Sequence, residues 1–276
     1  MDDGRRMREE GRAMWSIKLS SKSSFCRAVV ASGFLTQRQM VHAALRYRLG
    51  CSKDDAVIYW QIDQLGQTHD GKLMWYGADC HRLKNRHATW VSHLLKRHYA
   101  VPDDAFQPVH CFFGLHLLNR TEKYCPTEMT EITERLLRSD SFFRQEKFSV
   151  ISNISVGPKK ICLVEAEKTA VICSELYPQY TWLAAGGMNE VQVNKFFPLR
   201  HHKVILFPDT DPDSMAFTRW YDAAQEVMKS FFWPNDNPIR VSPLLERHAT
   251  PDQKRRKIDL VDFLFEKRHY PPPIVP

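Results

Sequence analysis

Four acidic residues in the second half of the sequence have the type and spacing that could hold a metal ion. Glu165 directly follows one short apolar run, and three alternate aspartates, Asp209, Asp211 and Asp213, follow another. Carboxylates that converge repel one another unless a cation neutralises them. Their hard oxygen atoms suit Mg²⁺ or Mn²⁺. We therefore expect these four acids to be ligands of Mg²⁺ (or Mn²⁺); the alternative is that Asp209 only caps the following helix.

The apolar runs before these acids predict a parallel sheet. Each run is short and continuously apolar, which is typical of strands buried on both faces. Strands are expected near 161–164, 180–185, 203–207 and 238–241, and helical patterns at 167–176, 191–199 and 214–231. This alternation favours an α/β layer with right-handed crossovers. In such sheets ligands bind at the carboxyl ends of strands, where Glu165 and Asp209 both lie.

The order of the motifs resembles the Toprim domain, which occurs in DnaG-type primases, topoisomerases and related nucleases. A glutamate, Glu165, follows the first strand, a turn at Gly186 and Gly187 follows the second, and an Asp-x-Asp pair, Asp209 and Asp211, follows the third. The stretch 257–264, Lys-Ile-Asp-Leu-Val-Asp-Phe-Leu, resembles the segment that closes that domain.

The Toprim resemblance implies roles for individual residues. Glu165 would act on the metal or as an acid or base, and Asp209 and Asp211 would bind the metal, so that the three together are catalytic. Two positions depart from the family pattern, because Ala166 and Ser214 stand where glycine is usual. Without glycine the backbone can approach a phosphate less closely.

A longer series of segments follows another pattern in order. These segments are 47–50, 57–63, 71–74, 90–91, 111–118 and 164–170. They are similar to Toprim-like proteins of bacterial mobile elements, a domain of unknown function of the DUF6371 type, over roughly residues 25–268. The resemblance implies a primase-like protein in DNA replication of a mobile element, with a helicase or another replication protein as a partner.

Composition limits the class of protein. With 276 residues, 43% of them hydrophobic, the chain can form one large domain or two modest ones with a real core. No apolar run approaches the roughly 20 residues that span a bilayer, and residues 1–12 lack an apolar signal core. The seven cysteines form no CxxC motif and are expected to be buried thiols. These features predict a cytoplasmic protein without membrane contact.

The net charge of +7 is unevenly distributed along the chain. Residues 1–150 hold 23 Lys/Arg and 17 Asp/Glu, whereas residues 151–276 hold 16 and 15. A basic first half and a second half with an acidic site would suit a protein that holds single-stranded DNA or RNA with one part and metal with the other. The alternative is that a moderate net charge only keeps the protein soluble.

Residues 1–150 are expected to form a smaller helical and β-hairpin domain before the Toprim-like α/β domain of residues 151–276. Two helices are predicted within 22–50, with Gly50 as a C-terminal cap. A strand at 56–63 and a returning strand at 72–76 predict a hairpin. The aromatic residues Trp60, Trp75 and Tyr76 could stack on bases, although a cross-strand aromatic core is favoured.

Three groups of cations are candidate nucleic-acid contacts. The stretch 81–98 is the most basic, and a short helix there is expected to present Lys96 and Arg97 on its polar face. The candidates in this stretch are Arg82, Lys84, Arg86, Lys96 and Arg97. The other candidates are Lys168, beside the acidic site, and the late patch Lys254, Arg255 and Arg256. The alternative for these charges is a solvated face or an exposed loop.

Three hypotheses of function remain open at the level of sequence. The first is an enzyme, a Mg²⁺-dependent primase-like nucleotidyltransferase or nuclease. The second is a catalytically inactive Toprim-like scaffold that binds single-stranded nucleic acid or a replication partner, which Ala166 and Ser214 favour. The third is an interaction protein of a mobile element. Binding of a divalent cation separates the first two.

Overall fold

A computed structural model describes residues 20–105, 107–118 and 160–266. By their contacts these residues form two compact units, one that holds the described residues up to 110 and one that holds 111–118 and 160–266. The expected domain boundary near residue 150 falls outside the described residues, so the division at that point stays a prediction. No helix in these three ranges is long and apolar enough to cross a membrane, and the cytoplasmic location stays a prediction.

The described residues of the first unit form three helices and one antiparallel sheet. Its helices are α1 (Ser24–Ala31), α2 (Gln37–Arg46) and α3 (Val91–His98), and its strands are β1 (Gly50–Cys51), β2 (Val57–Ile62), β3 (Thr68–Met74) and β4 (Thr89–Trp90). The strand order is β1-β2-β3-β4. Thr36 caps the start of helix α2, where Thr36 and Gln39 form a reciprocal capping box that satisfies two N–H groups.

The end of α2 differs from the expectation for Gly50. Arg48, with φ of 53°, takes the left-handed conformation after the helix, whereas Gly50 pairs with Ile58 as part of β1. A Cβ atom at position 50 would lie 2.8 Å from Nε1 of Trp60. The prediction of a glycine cap was therefore wrong, because the glycine serves the close approach of β1 to the Trp60 ring.

The predicted hairpin is formed by β2 and β3, which pair Val57 with Met74. Strand β3 begins earlier than expected, at residue 68. All six residues of β2 are buried, and both Trp60 and Tyr76 belong to the core. The cross-strand aromatic interpretation is confirmed for these two residues, which are not available to stack on bases.

The second unit is built on a parallel sheet with helices on both faces. Its strands are β5 (Ile161–Val164), β6 (Thr181–Ala184), β7 (Val204–Phe207) and β8 (Arg240–Val241), in the order β6-β5-β7-β8 and all parallel. Its helices are α4 (Glu167–Leu176), α5 (Met215–Lys229), α6 (Leu244–His248), α7 (Pro251–Arg256) and α8 (Leu260–Glu266), with 3₁₀ helices at Leu115–Leu118, Met188–Glu190 and Val193–Leu199. The prediction of an α/β fold with a mainly parallel, helix-flanked sheet, together with a smaller unit of helices and a β-hairpin, is confirmed.

Strand order explains why the sheet is covered on both faces. The chain moves from β5 to β6 in one direction and then crosses back to β7 and β8. Right-handed crossovers therefore place α4 on one face and α5 on the other. The α5 face buries Leu163, Leu183, Leu206, Phe196, Trp220 and Ala224 in one cluster. On the α4 face, the rings of Trp182 and Phe207 pack with centroids 5.7 Å apart.

Two predicted elements differ in form from the expectation. The segment 191–199 is a 3₁₀ helix, Val193–Leu199, which contains Pro198. Proline lacks an N–H group and disfavours a regular α-helix. The fourth strand is shorter than the range 238–241 that the sequence indicated. The remaining strands of the parallel sheet agree with their predicted bounds to within one residue at either end.

Candidate functional site

The strand order creates a crevice at the carboxyl edge of the parallel sheet. Strands β5 and β7 are neighbours, with Val164 opposite Phe207, and the chain leaves them in opposite directions. Ligands of open α/β sheets bind at such a switch point. Glu165 follows β5 directly, and Asp209 lies two residues beyond β7. Both carboxylates therefore belong to the crevice between these strands.

The electrostatics of Asp209 reflect a concentration of negative charge. Burial raises the pKa of the Asp209 carboxyl well above its usual value, and the charges of Glu165 and Asp259 raise the pKa further. Lys168 opposes this rise without removing it. A carboxyl group in this position is stabilised either by a proton or by a nearby cation. The site is therefore suited to a positively charged ligand.

A segment from the end of the chain completes the acidic cluster. The Nζ atom of Lys168, on α4, lies 2.9 Å from Oδ2 of Asp259 and 3.3 Å from Oδ1 of Asp262. The hydroxyl of Thr169 also donates to Asp259, at 2.9 Å. Burial alone would raise the pKa of Asp259, but the charge and hydrogen bond of Lys168 outweigh it and lower the pKa.

Lys168 was expected to contact nucleic acid, but its side chain lies against acids of its own unit. Its side chain is 8% exposed, and its ammonium group faces the two aspartates of the last segment. Sequence reasoning did not select Asp259 or Asp262 as site residues. The available signal was the resemblance of 257–264 to the closing segment of the Toprim domain.

Asp211 was predicted from the sequence to bind metal, but its carboxylate has a structural role. Its Oδ1 atom accepts the N–H groups of Asp213 and Met215, and Oδ2 accepts the N–H of Ala216, at 2.8–3.0 Å. Burial would raise the pKa of Asp211, but these backbone hydrogen bonds lower it. The carboxylate thus caps the beginning of α5, and both oxygens are already engaged.

The four acids proposed from sequence therefore do not lie together in a single metal site. Glu165 and Asp209 meet in the crevice, Asp211 faces the start of α5, and Asp213 is exposed. In the ranges that the structure describes, no three His, Cys, Asp or Glu side chains form a group that could hold a metal ion. Mg²⁺ commonly binds one or two carboxylates and completes its shell with water and substrate phosphates. Glu165 and Asp209 fit that more limited arrangement.

The two departures from glycine have different local consequences. Ser214 adopts the left-handed conformation, with φ of 56°, that glycine would adopt most easily. Its hydroxyl donates to Oε2 of Glu246 at 2.7 Å, which holds the residue in place. The backbone bend therefore persists without glycine. Ala166 precedes α4 in an extended conformation that any residue can adopt.

The glycine turn lies beside Glu165. Gly186 has φ of 94°, a region that favours glycine, and its N–H donates to the carbonyl oxygen of Glu165 at 2.9 Å. Gly187 is nearly extended, and a Cβ atom there would have only an ordinary contact with Glu190. Of the two predicted turn residues, Gly186 is the one whose conformation requires glycine.

A cleft of about 970 Å³ opens next to this turn. It lies between the segment 188–194 and helix α5, and Asp213 is part of its lining. Amide groups line one side, from Asn189, Gln192 and Asn194. Among the residues that form it, Arg219 is the cation, and the acids are Asp213, Asp222 and Glu226. The cleft could admit a polar molecule near the crevice.

The basic stretch of the first unit is largely exposed, as expected. Arg82, Lys84, Arg86 and Arg97 are exposed, and Arg86 lies over the Trp75 ring at 5.1 Å. Lys96 is different, because it is buried and its Nζ atom donates to the carbonyl oxygen of Asp103 at 2.6 Å. The expectation that Lys96 lies on the polar face of α3 was wrong, since the following loop covers it.

The late basic patch is balanced by acids. Lys254 pairs with Glu246 at 2.6 Å, and Arg255 pairs with Asp252 at 3.2 Å. Arg256 forms two ion pairs, one with Asp252 and one with Glu266. These three cations belong to a charge network, so the segment is less positive than its sequence indicates.

Comparison with known proteins gives one family. A family model described as "Domain of unknown function (DUF6371)" matches residues 23–134 and 128–210. A search of curated proteins finds no match. Among solved structures, the chain is similar to the primase fragment of the bacteriophage T7 primase-helicase protein, with 16% identity and a TM-score of 0.38. The similarity covers 73% of this chain and 60% of that chain.

Proposed function

The chain belongs to the DUF6371 family, and we propose that its second unit is a Toprim-like catalytic domain for Mg²⁺-dependent phosphoryl chemistry on nucleic acid. The substrate class is single-stranded DNA or RNA, and the reaction is primase-like nucleotidyl transfer or cleavage. The proposal places the protein in the replication of a mobile element, with a helicase or another replication protein as its partner.

One observation carries the proposal, namely the convergence of Glu165 and Asp209 at the switch point of the sheet. Two strands from different parts of the chain bring these carboxylates together, and burial followed by the charge of Glu165 raises the pKa of Asp209. A fold tolerates such repulsion most readily where a function uses it. The chemistry of the two groups matches the oxygen ligands that Mg²⁺ prefers.

The residues around the crevice would have different roles. Glu165 and Asp209 would hold Mg²⁺ (or Mn²⁺), which when bound neutralises charge on the reacting phosphate. Lys168 compensates the charges of Asp259 and Asp262, so that these acids add less repulsion to the site. Gly186 fixes the backbone next to Glu165. The adjacent cleft would hold the polar part of the substrate.

The first unit would supply attraction for the nucleic-acid backbone. Its exposed cations are Arg97, in the short helix α3, and Arg82, Lys84 and Arg86, in the loop between β3 and β4. Contacts of this kind contribute affinity that is independent of sequence and falls with salt. They would retain a single strand while the reaction takes place in the second unit.

A second candidate function is a scaffold that binds single-stranded nucleic acid without chemistry. The observation that favours it is the use of Asp211 as the cap of α5, which removes one acid from the expected metal set. A scaffold would keep the fold and the basic surface while the carboxylates had no catalytic task.

An activity assay separates these candidates. The full chain would be incubated with a labelled single-stranded oligonucleotide, Mg²⁺ and nucleoside triphosphates, and the products resolved by length. The proposal predicts lengthened or shortened products, with a loss of at least about 100-fold in rate for Glu165→Gln if this residue moves a proton. If the wild-type protein bound the oligonucleotide but never changed its length, the result would favour the scaffold.

A further inference from the structure

The amino edge of the parallel sheet carries a second surface that the acidic site does not use. It is formed by the segment 197–203 before β7 and the segment 229–240 before and into β8. Strands of four residues extend for about 13 Å, so this edge and the carboxyl edge are separate surfaces. We call the surface the basic-aromatic patch and define it by Phe197, Arg200, Lys203, Lys229, Phe231 and Phe232.

The aromatic residues of the patch are not part of the core. Phe231 is fully exposed, and Phe197 is 48% exposed. Phe232 lies between them, with ring centroids 5.6 Å from Phe197 and 5.7 Å from Phe231. Three adjacent phenylalanine rings at a surface, two of them well exposed, present flat apolar faces to an external ligand.

The charges around these rings are mostly positive. The guanidinium group of Arg200 lies over the Phe197 ring at 4.0 Å. Lys203, Lys229 and Arg240 are exposed in the same two segments, which contain a single acid, Asp236. Lys160, also exposed, adjoins them through β5, because the N–H of Ile161 donates to the carbonyl oxygen of Lys203.

The two segments are fixed to each other. The side-chain amide of Asn237 donates to the carbonyl oxygens of Arg200 and His202, at 3.2 and 2.7 Å. The indole N–H of Trp233 donates to the carbonyl oxygen of Asn237 at 2.7 Å. A surface held in this way loses little freedom when it binds, which favours recognition by preformed groups.

The charge of the patch decides among its potential occupants. A second copy of the chain bound across a two-fold axis would bring the same cations together, which opposes association. A single-stranded nucleic acid offers phosphates to the cations and unstacked bases to the rings, and this combination is typical of surfaces that bind single strands.

We propose that the basic-aromatic patch binds single-stranded nucleic acid, with a base stacked on Phe231 and phosphates next to Lys203 and Lys229. The surface lies apart from the crevice of Glu165 and Asp209. It therefore does not depend on metal binding or on turnover there, and it can exist in either an enzyme or a scaffold.

Anisotropy of a fluorescent oligothymidine of twenty residues, titrated with the full chain, tests this proposal. Phe231→Ala removes a fully exposed ring, so the fold should be retained. We expect the affinity to fall about fivefold or more, because stacking of one base contributes at least that factor. Affinity for a blunt duplex, whose bases are already stacked, should not change.

A charge variant tests the other half of the surface. Lys203→Glu combined with Lys229→Glu should weaken binding and flatten the plot of log affinity against log salt by about 1.4, or about 0.7 for each lost phosphate contact. Lys22→Glu combined with Arg247→Glu is the matched control, since both residues are exposed, lie outside the patch and the cleft, and change the net charge equally. Equal effects of the two double variants, or unchanged affinity in Phe231→Ala, would overturn the proposal. Unchanged affinity in every patch variant would overturn it as well.

Discussion

At the scale of single residues, the site depends on where each carboxylate directs its oxygens. Asp209 and Asp211 are separated by one residue, yet their environments shift their pKa values in opposite directions. Repulsion and burial act on Asp209, whereas three backbone N–H groups stabilise the charge of Asp211. A nearby cation would therefore stabilise the charge of Asp209, whereas hydrogen bonds already stabilise the charge of Asp211. This contrast leads to a direct prediction for each residue.

Asp209→Asn should stabilise the metal-free protein at neutral pH. A raised pKa in the folded state means that the carboxyl group favours folding at low pH and that this contribution is lost as the pH rises through the folded-state pKa. Asparagine keeps the shape and one acceptor without the charge. Thermal melts from pH 4 to pH 8 in a chelator should therefore show an advantage of the variant that grows with pH. A constant or shrinking difference would contradict the described electrostatics.

At the scale of elements, the beginning of α5 is fixed by a side chain that lies before the helix. Ser214 turns the chain in the left-handed conformation, and Asp211 satisfies N–H groups of the first helical turn. The strand β7, this bend and α5 thus form one hydrogen-bonded connection next to the crevice. Its integrity determines where Asp209 lies.

Asp211→Ala should destabilise the fold by about 2 kcal/mol at pH 7, because the first turn of α5 loses its acceptor. Since the pKa of Asp211 is lowered, its contribution is present above the unfolded-state pKa and is lost as the pH falls through the folded-state pKa. The difference between wild type and variant should therefore shrink in acid. Denaturant titrations at pH 7 and pH 3 measure it.

Asp213→Ala is the matched control for that experiment. Asp213 is exposed and lies two residues further along the chain. Its removal should change stability by less than about 0.5 kcal/mol. If both variants lost the same stability, the carboxylate of Asp211 would not be the cap of α5.

At the scale of the whole molecule, the sequence predicted the architecture better than the site. Continuous apolar runs are a local signal, so the strands and their parallel arrangement could be predicted. The use of Asp211 depends on the exact bend at Ser214, and the burial of Lys96 depends on a carbonyl group in a later loop. The pair of Thr169 and Asp259 joins positions 90 residues apart, which no local pattern indicates.

Nucleic-acid binding by the first unit should be electrostatic. Charge reversal of Arg82, Lys84 and Arg97, which are exposed, should weaken binding to a single strand. It should also flatten the salt dependence by about 0.7 for each lost phosphate contact. Lys96→Met serves as the contrasting variant, because its buried ammonium group lies against Asp103 and should affect stability rather than affinity. An unchanged salt slope in the triple variant would show that these three cations do not contact phosphates.

The central claim is that Glu165 and Asp209 form a divalent-cation site, and calorimetric titration of Mn²⁺ tests it most directly. Wild type, Asp209→Asn and Asp213→Asn would be titrated under the same conditions, the last as a control with the same change in charge. The account predicts a binding heat for wild type and Asp213→Asn and its loss in Asp209→Asn. Equal heats from wild type and Asp209→Asn, or no heat from wild type, would contradict it.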